Sequence, residues 1–204
     1  MAGVGTELWL IRHGETEWSA AGKHTSRTDL PLTAHGRERA EVLGKYLAAT
    51  TFRAVLRSPM LRARETCEIA GFGGVAGVDE GLREWDYGVY EGRTTQEIQA
   101  EIPGWTVWKN EIVEGETVEQ VGARADAVIG RALAAGDGTS AGAQDGGKVA
   151  LFGHAHILRI LAARWIGLEA RGGSLFALGT GSVSVLGWER ETRVMQRWNR
   201  GFEE

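Results

Sequence analysis

The stretch Glu7-Leu8-Trp9-Leu10-Ile11-Arg12-His13-Gly14-Glu15 decides the fold. Residues 7–11 form a short, mostly apolar run that reads as a buried strand, and polarity switches abruptly at Arg12-His13-Gly14. A charged tripeptide therefore sits at a strand's C-terminal end, the edge at which open α/β sheets hold their ligands. Working outward, Ala40, Leu43, Gly44 and Leu47 recur at helical spacing behind Thr33, an apt N-cap, which predicts a helix over residues 34–49. A second strand follows from Phe52 to Leu56, and then Ser58 as N-cap with Pro59 at the first helical position opens a helix to Ala70. Val118, Val121, Ala125, Val128 and Ala132 mark a long helix within residues 117–135, with a capping box from Thr117 and Gln120. Val149 to Phe152 reads as another buried strand, ending at Gly153-His154-Ala155-His156 and followed by the helical set Ile157, Leu158, Ile160 and Leu161. Ser182 to Trp188 and Arg193 to Trp198 resemble neighbouring strands joined by a turn. Alternating strands and helices predict an α/β fold with a largely parallel sheet.

Composition bounds what such a domain does. The 204 residues suit one compact domain spanning 1–204, and no apolar run approaches the roughly 18 residues a membrane helix needs. The 23 Lys and Arg against 27 Asp and Glu leave a net charge of −4, which argues against a broad nucleic-acid-binding face. A single cysteine, Cys67, fits a reducing compartment, and the N-terminal residues carry no export pattern, so a cytoplasmic protein without membrane attachment is expected. Thirty glycines stand against three prolines, and five of them fall in Gly136 to Gly147, which reads as a flexible surface loop.

Two predicted strands end in histidine, His13 and His154, and they face one pocket if those strands are neighbours. Arg12 offers planar donors suited to phosphate or carboxylate. Arg62 stands in the first turn of a helix, where a cation opposes the macrodipole unless an anion binds there. In Gly81-Leu82-Arg83-Glu84-Trp85-Asp86-Tyr87-Gly88, apolar and aromatic neighbours are expected to raise a carboxyl pKa toward working pH, making Glu84 or Asp86 a proton donor. Two histidines, two arginines and a carboxylate suit phosphoryl transfer, with a histidine able to act as covalent nucleophile. No G-x-x-x-x-G-K-[ST] loop is present, and the glycines from Gly71 to Gly77 follow a helix, which removes the nucleotide-binding fingerprints. His154 and His156 have metal-pair spacing, yet His13, His24 and His35 lie far away in sequence, so no metal is expected.

These motifs resemble the histidine phosphatase superfamily, which includes cofactor-dependent phosphoglycerate mutases and many small phosphatases. The resemblance runs in order through residues 10–18, 29–33, 58–66, 82–88, 115–117 and 153–159. It implies a three-layer α/β/α phosphoglycerate mutase-like fold and a metal-independent phosphatase of small phosphorylated metabolites, with no cofactor. His13 would form a phosphohistidine, while Arg12, Arg62 and His154 hold the phosphoryl oxygens. Glu84, rather than Asp86, would protonate the leaving oxygen and then assist water. Ser19, Thr25, Ser26, Tyr87, Ala155 and His156 join the expected substrate contacts, although Ser19 stands where the family commonly has asparagine, and Ser26 where glycine is frequent. Mutases of the family carry a longer insertion with paired arginines; here the cap-like insertion around 88–116 is short and holds Trp108-Lys109-Asn110. Hydrolysis is therefore favoured over a bisphosphoglycerate-primed mutase or a catalytically silent phospho-ligand module, and acid phosphatases and sugar phosphate or bisphosphate phosphatases are the expected branches. Trp18 and Trp85 are expected to wall the pocket, the segment from Thr94 to Gly115 to set specificity, and a homodimer is left open.

Overall fold

The computed structural model of the protein describes residues 5–137 and 146–202. Its centre is one sheet of six strands: β1 (Glu7–Arg12), β2 (Ala54–Arg57), β3 (Ala76–Val78), β4 (Lys148–Gly153), β5 (Val183–Glu189) and β6 (Thr192–Arg200), in the order β3-β2-β4-β1-β5-β6. The pairs β3·β2, β2·β4 and β4·β1 are parallel, whereas β5 runs antiparallel to β1 and forms a hairpin with β6. The main helices are α1 (Glu17–Ala20), α2 (Ala34–Leu47), α3 (Leu61–Ile69), α4 (Thr95–Glu101), α5 (Val118–Asp137) and α6 (Ala155–Trp165).

The period of two along each strand sorts its apolar side chains into two layers. Leu8, Leu10, Val149 and Leu151 face one side with Val121, Val128, Ile157 and Leu161 of α5 and α6. Trp9, Ile11, Ala150 and Phe152 face the other side with Leu43, Leu47 and Cys67 of α2 and α3. Each fully buried Leu or Ile contributes about 1.5–3 kcal/mol, so the sheet is held by both layers together.

Local signals place most boundaries. Thr33 Oγ1 accepts the Gly36 N–H at 3.0 Å, and Thr117 and Gln120 exchange side-chain to backbone hydrogen bonds at 2.8 and 3.2 Å. The start of α3 departs from expectation. Its N-cap is Met60, because Ser58 still belongs to the sheet edge, donating its N–H to Phe152 at 2.9 Å, and Pro59 and Met60 are needed to turn the chain. Similarly, β2 begins at Ala54, since Phe52 packs edge-on against Trp9 and leaves the ladder to begin after it. Of the glycine-rich stretch, residues 138–145 lie outside the described residues.

Between Tyr87 and Thr117 the chain forms a cap containing a 3-10 turn (Gly88–Tyr90) and α4. Backbone hydrogen bonds of 2.9 and 2.8 Å between His24 and the 92–93 pair, with a bridge from Lys23 to Thr94, fasten it to the loop after α1. Gly88 sits at φ 50, with the Val113 carbonyl only 2.0 Å from where a Cβ would lie. That contact bars a side chain there.

Gly36 presses equally hard on the loop that follows His13: a Cβ would meet the Glu15 carbonyl oxygen at 2.2 Å and its nitrogen at 2.7 Å. Gly130 on α5 has open space. In urea unfolding, Gly36→Ala is expected to lower stability by roughly 1–3 kcal/mol, whereas Gly130→Ala raises it by about 0.4–1 kcal/mol. Equal shifts of the same sign would contradict this packing.

Candidate active site

The register of β1 on β4 places Arg12 opposite Gly153, so that His13 and His154 leave the sheet side by side, with the His13 N–H donating to Gly153 at 3.0 Å. Their rings lie 5.1 Å apart between centroids. Above this edge opens a cleft of ≈ 440 Å³. Arg12 and His13 line it from the C-terminal end of β1 and the residue after it, Glu84 and Tyr87 from the segment before the cap, and Ala155, His156 and Arg159 from the start of α6.

His13 is buried, and its Nδ1 lies 2.7 Å from the Gly14 carbonyl. A carbonyl only accepts, so Nδ1 carries the proton and Nε2 keeps its lone pair. Burial, then Arg62 and Arg12, push the imidazole pKa well below its ordinary value, which keeps the ring neutral and nucleophilic. His154 is arranged the other way round. Its Nδ1 accepts from Arg62 Nε at 3.0 Å, which places its proton on Nε2, 2.8 Å from Ser58 Oγ. Burial, followed by Arg62 and His13, also holds this ring neutral. An N–H donor on Nδ1 closes that atom to a metal, and His156 Nδ1 is bonded to the Tyr87 hydroxyl at 2.6 Å.

Arg62 is fully buried in the first turn of α3 and donates to the carbonyls of Thr28, Thr25 and Ser26 at 3.1, 3.2 and 3.3 Å. Arg12 donates to the Leu178 carbonyl, and its buried Nε has no hydrogen-bond partner among the described residues. An anion in the cleft is the natural partner for that group. Arg62 and His154 lie directly behind the lining rather than in it, so the oxygen contacts expected of them require their present protein bonds to be exchanged.

Glu84 corrects the expectation of a raised carboxyl. Its oxygens accept from the backbone N–H groups of Trp85, His156 and Ile157 at 2.9, 3.0 and 3.0 Å, the last two being free donors in the first turn of α6. Burial alone pushes the group up, but hydrogen bonding to His156 and the other backbone N–H donors outweighs it and holds the carboxyl well below the usual range. The sequence shows the apolar neighbours, whereas the helix N-terminus arrives from residues over seventy positions away. Asp86 is directed elsewhere, forming an ion pair with Arg27 and a 3.1 Å hydrogen bond from the Gly88 N–H.

The remaining expected contacts divide. Ser19, Thr25, Tyr87, Ala155 and His156 line the cleft, though the Ser19 hydroxyl donates to the Thr16 carbonyl at 3.0 Å and Thr25 donates to Lys23 at 3.0 Å. Ser26 does not line it: its N–H is taken by Glu91 at 2.9 Å and its carbonyl by Arg62. Trp18 and Trp85 are not wall residues either. Trp85 is buried, donating to the Glu116 carbonyl at 2.8 Å, and packs edge-on against Trp108, which lines the cleft in its place. Thr95 and Thr106 of the cap line it too, together with Lys23, His24 and Arg159, which were not anticipated. Arg159 was legible in principle, one helical turn beyond Ala155 on the same face. His24 comes within 6.3 Å of His156 only through the fastening of the cap, a tertiary event without a local signature.

A neutral histidine, two guanidinium groups and a carboxylate at a helix N-terminus are a set of groups suited to phosphoryl transfer on an α/β sheet. Residues 8–201 match the histidine phosphatase superfamily (branch 1), and the chain belongs to that family. It is 39% identical over 190 residues to an acid phosphatase of Mycobacterium tuberculosis, covering 92% of this chain and 89% of the relative. A sedoheptulose 1,7-bisphosphatase of Saccharomyces cerevisiae is 35% identical over 188 residues, covering 78% of this chain and 67% of the relative. The solved structure of an open reading frame product from Mycobacterium tuberculosis superimposes with a TM-score of 0.86 at 36% identity, over 96% of this chain and 98% of that one.

The neutral histidines also make stability depend on pH. His13, His154 and His156 are held below their ordinary value of 6.5, and burial takes His24 down to about 4. The unfolded chain therefore binds more protons than the folded one below pH 6.5, and stability falls as pH drops from 6.5 toward 4. Urea midpoints measured across this window are expected to decline steadily, and less steeply in His24→Gln. A midpoint unchanged between neutral pH and pH 5 would mean that these rings are protonated in the folded state.

Proposed function

We propose that the protein is a metal-independent phosphomonoesterase working through a phosphohistidine at His13, and the observation that carries this reading is the free Nε2 of His13 beside Arg12 in the cleft that Glu84 also lines. The substrate phosphate enters next to Arg12 and Ala155 at the start of α6, where helix dipole and guanidinium both favour an anion. His13 Nε2 attacks phosphorus, the bond to the ester oxygen breaks, and that oxygen takes a proton from Glu84. Glu84 rests ionised, but an incoming phosphate adds negative charge beside it and raises its pKa, so the proton is acquired together with the substrate. A water then gives its proton to the Glu84 carboxylate and attacks the phosphoimidazole, which releases phosphate and restores His13.

Small sugar phosphates and bisphosphates are the substrate class we favour. The cleft adds Lys23 and Arg159 to Arg12, and the Arg159 guanidinium lies 4.7 Å from the Trp108 ring centroid, which sets a fixed cation beside an aromatic wall. A second charged end and a hydrated ring both find complements there. The two relatives named above, an acid phosphatase and a sugar bisphosphatase, support the same class. The single, buried Cys67 is in keeping with a cytoplasmic setting.

Rapid-quench labelling with a phosphorylated substrate should give an acid-labile adduct on His13 that is absent from His13→Ala. Glu84→Gln should lower kcat/KM by about 10²- to 10⁴-fold for alkyl phosphates and far less for nitrophenyl phosphate. Label that survives in His13→Ala would overturn the mechanism, and exchange of phosphoglycerate isomers faster than phosphate release would make the protein a mutase. Arg159→Ala is expected to lower kcat/KM about tenfold or more for sugar bisphosphates relative to the matching monophosphates, as loss of a charge-assisted contact requires. Equal losses would remove Arg159 from recognition of a second phosphate.

A further inference from the structure

The segment that carries Glu84 has little regular structure: a 3-10 turn at Glu80–Leu82, then irregular backbone to Tyr87. An isolated irregular segment cannot by itself hold a proton donor to the few tenths of an ångström that acid catalysis requires. The segment is instead held by two arginines of α5, one on its backbone and one on the side chain of Asp79 at its start. Arg124 Nη1 donates to the carbonyls of Gly81 at 2.9 Å and Arg83 at 2.6 Å, and Nη2 reaches the carbonyl of Glu84 itself at 3.3 Å. Its remaining donors make a bidentate pair with Glu116, at 3.0 and 2.6 Å. Glu116 passes the restraint on, accepting the Asp86 N–H at 3.0 Å on its carboxylate and Trp85 Nε1 at 2.8 Å on its carbonyl.

Two helical turns further along the same face, Arg131 makes a second bidentate pair, at 2.9 and 2.7 Å, with Asp79. Asp79 caps the 3-10 turn through the Gly81 N–H at 2.8 Å. The seven-residue spacing of the arginines along the helix is about 10 Å, enough to clamp the segment at two separate points. Gly81 permits the close approach, since a Cβ there would meet Arg131 Nη2 at 2.5 Å and Val128 Cγ2 at 2.7 Å.

We infer that α5 is the positioning rail for the proton donor, with Arg124 fixing the Glu84 backbone while the α6 N–H groups fix its carboxylate, and Arg131 anchoring the start of the segment through Asp79. Arg124 and Arg131 are positioning residues, as they do not line the cleft. The α5 and α6 helices pack on each other, so the two grips on Glu84 belong to one rigid layer. The inference rests on Glu84 being the proton donor.

The test compares kcat/KM, which reports steps up to departure of the leaving group, for an alkyl phosphate and for nitrophenyl phosphate in Arg124→Gln, Glu116→Gln and Glu84→Gln. Arg124→Gln should lose about tenfold or more on the alkyl ester and less than threefold on the nitrophenyl ester, with the smaller but equally selective loss in Glu116→Gln standing in if Arg124→Gln fails to fold. Adding Arg124→Gln to Glu84→Gln should cost nothing further on the alkyl ester, as expected for two residues acting through one group. Equal losses on both esters in Arg124→Gln and Glu116→Gln, or none on either, would overturn the positioning role. If Glu84→Gln is itself unselective, the proton-donor reading fails, and that result is separable from a selective Glu84→Gln beside unselective Arg124→Gln and Glu116→Gln.

Discussion

Everything in the cleft depends on the in-register parallel pairing of β1 with β4. Six consecutive pairs, from Glu7 with Lys148 to Arg12 with Gly153, end at the same edge, and the ladder is completed by the His13 N–H on the Gly153 carbonyl. A one-residue slip would turn Leu8, Leu10, Val149 and Leu151 out of one apolar layer and drive them into the other. Burial on both faces therefore fixes the register, and the register fixes the distance between the two histidines. Catalytic geometry here is a by-product of core packing.

The second consequence is electrostatic. Placing the half-buried Arg12 and the fully buried Arg62 at this edge creates a positive field that water screens only weakly, and each guanidinium is held in place by backbone carbonyls. Burial first, and then this field, lower the pKa of His13 and His154 well below the ordinary value and keep both rings neutral. The same field that favours an anion in the cleft thus helps to leave His13 neutral, with its Nε2 lone pair free. Glu84 supplies the opposing charge, and its three backbone donors help to keep it ionised.

The ends of β1 and β4, the caps at Thr33 and Thr117 and the placing of Arg12, His13 and His154 at strand ends were legible because each is written in a few adjacent residues, whereas the choice of Glu84 over Asp86 came only from the family resemblance. Thr33, Thr117 and the polarity switch at Arg12 needed no tertiary information. What escaped the sequence was set by partners far away. The protonation state of Glu84 turns on the first turn of α6, the withdrawal of Ser26 on Glu91 and Arg62, and the cleft wall on Trp108 displacing Trp85 from exposure. The start of α3 was misplaced for a similar reason: a Ser-Pro pair signals a helix N-terminus, but the sheet retains the Ser58 N–H.

Arg62 joins these levels. One guanidinium holds His154 in its tautomer through Nε, and through Nη1 and Nη2 it organises the carbonyls of Thr25, Ser26 and Thr28. That loop contributes Lys23, His24 and Thr25 to the cleft and is fastened to the cap through residues 92–94. The histidine pair and the surface that reads the rest of a substrate therefore share a single buried cation. A phosphate drawing one of those N–H groups toward itself must loosen a carbonyl of the loop or the bond to His154. Chemistry and recognition are coupled at Arg62, so a change of specificity made in the loop alone carries over to the tautomer and placement of His154.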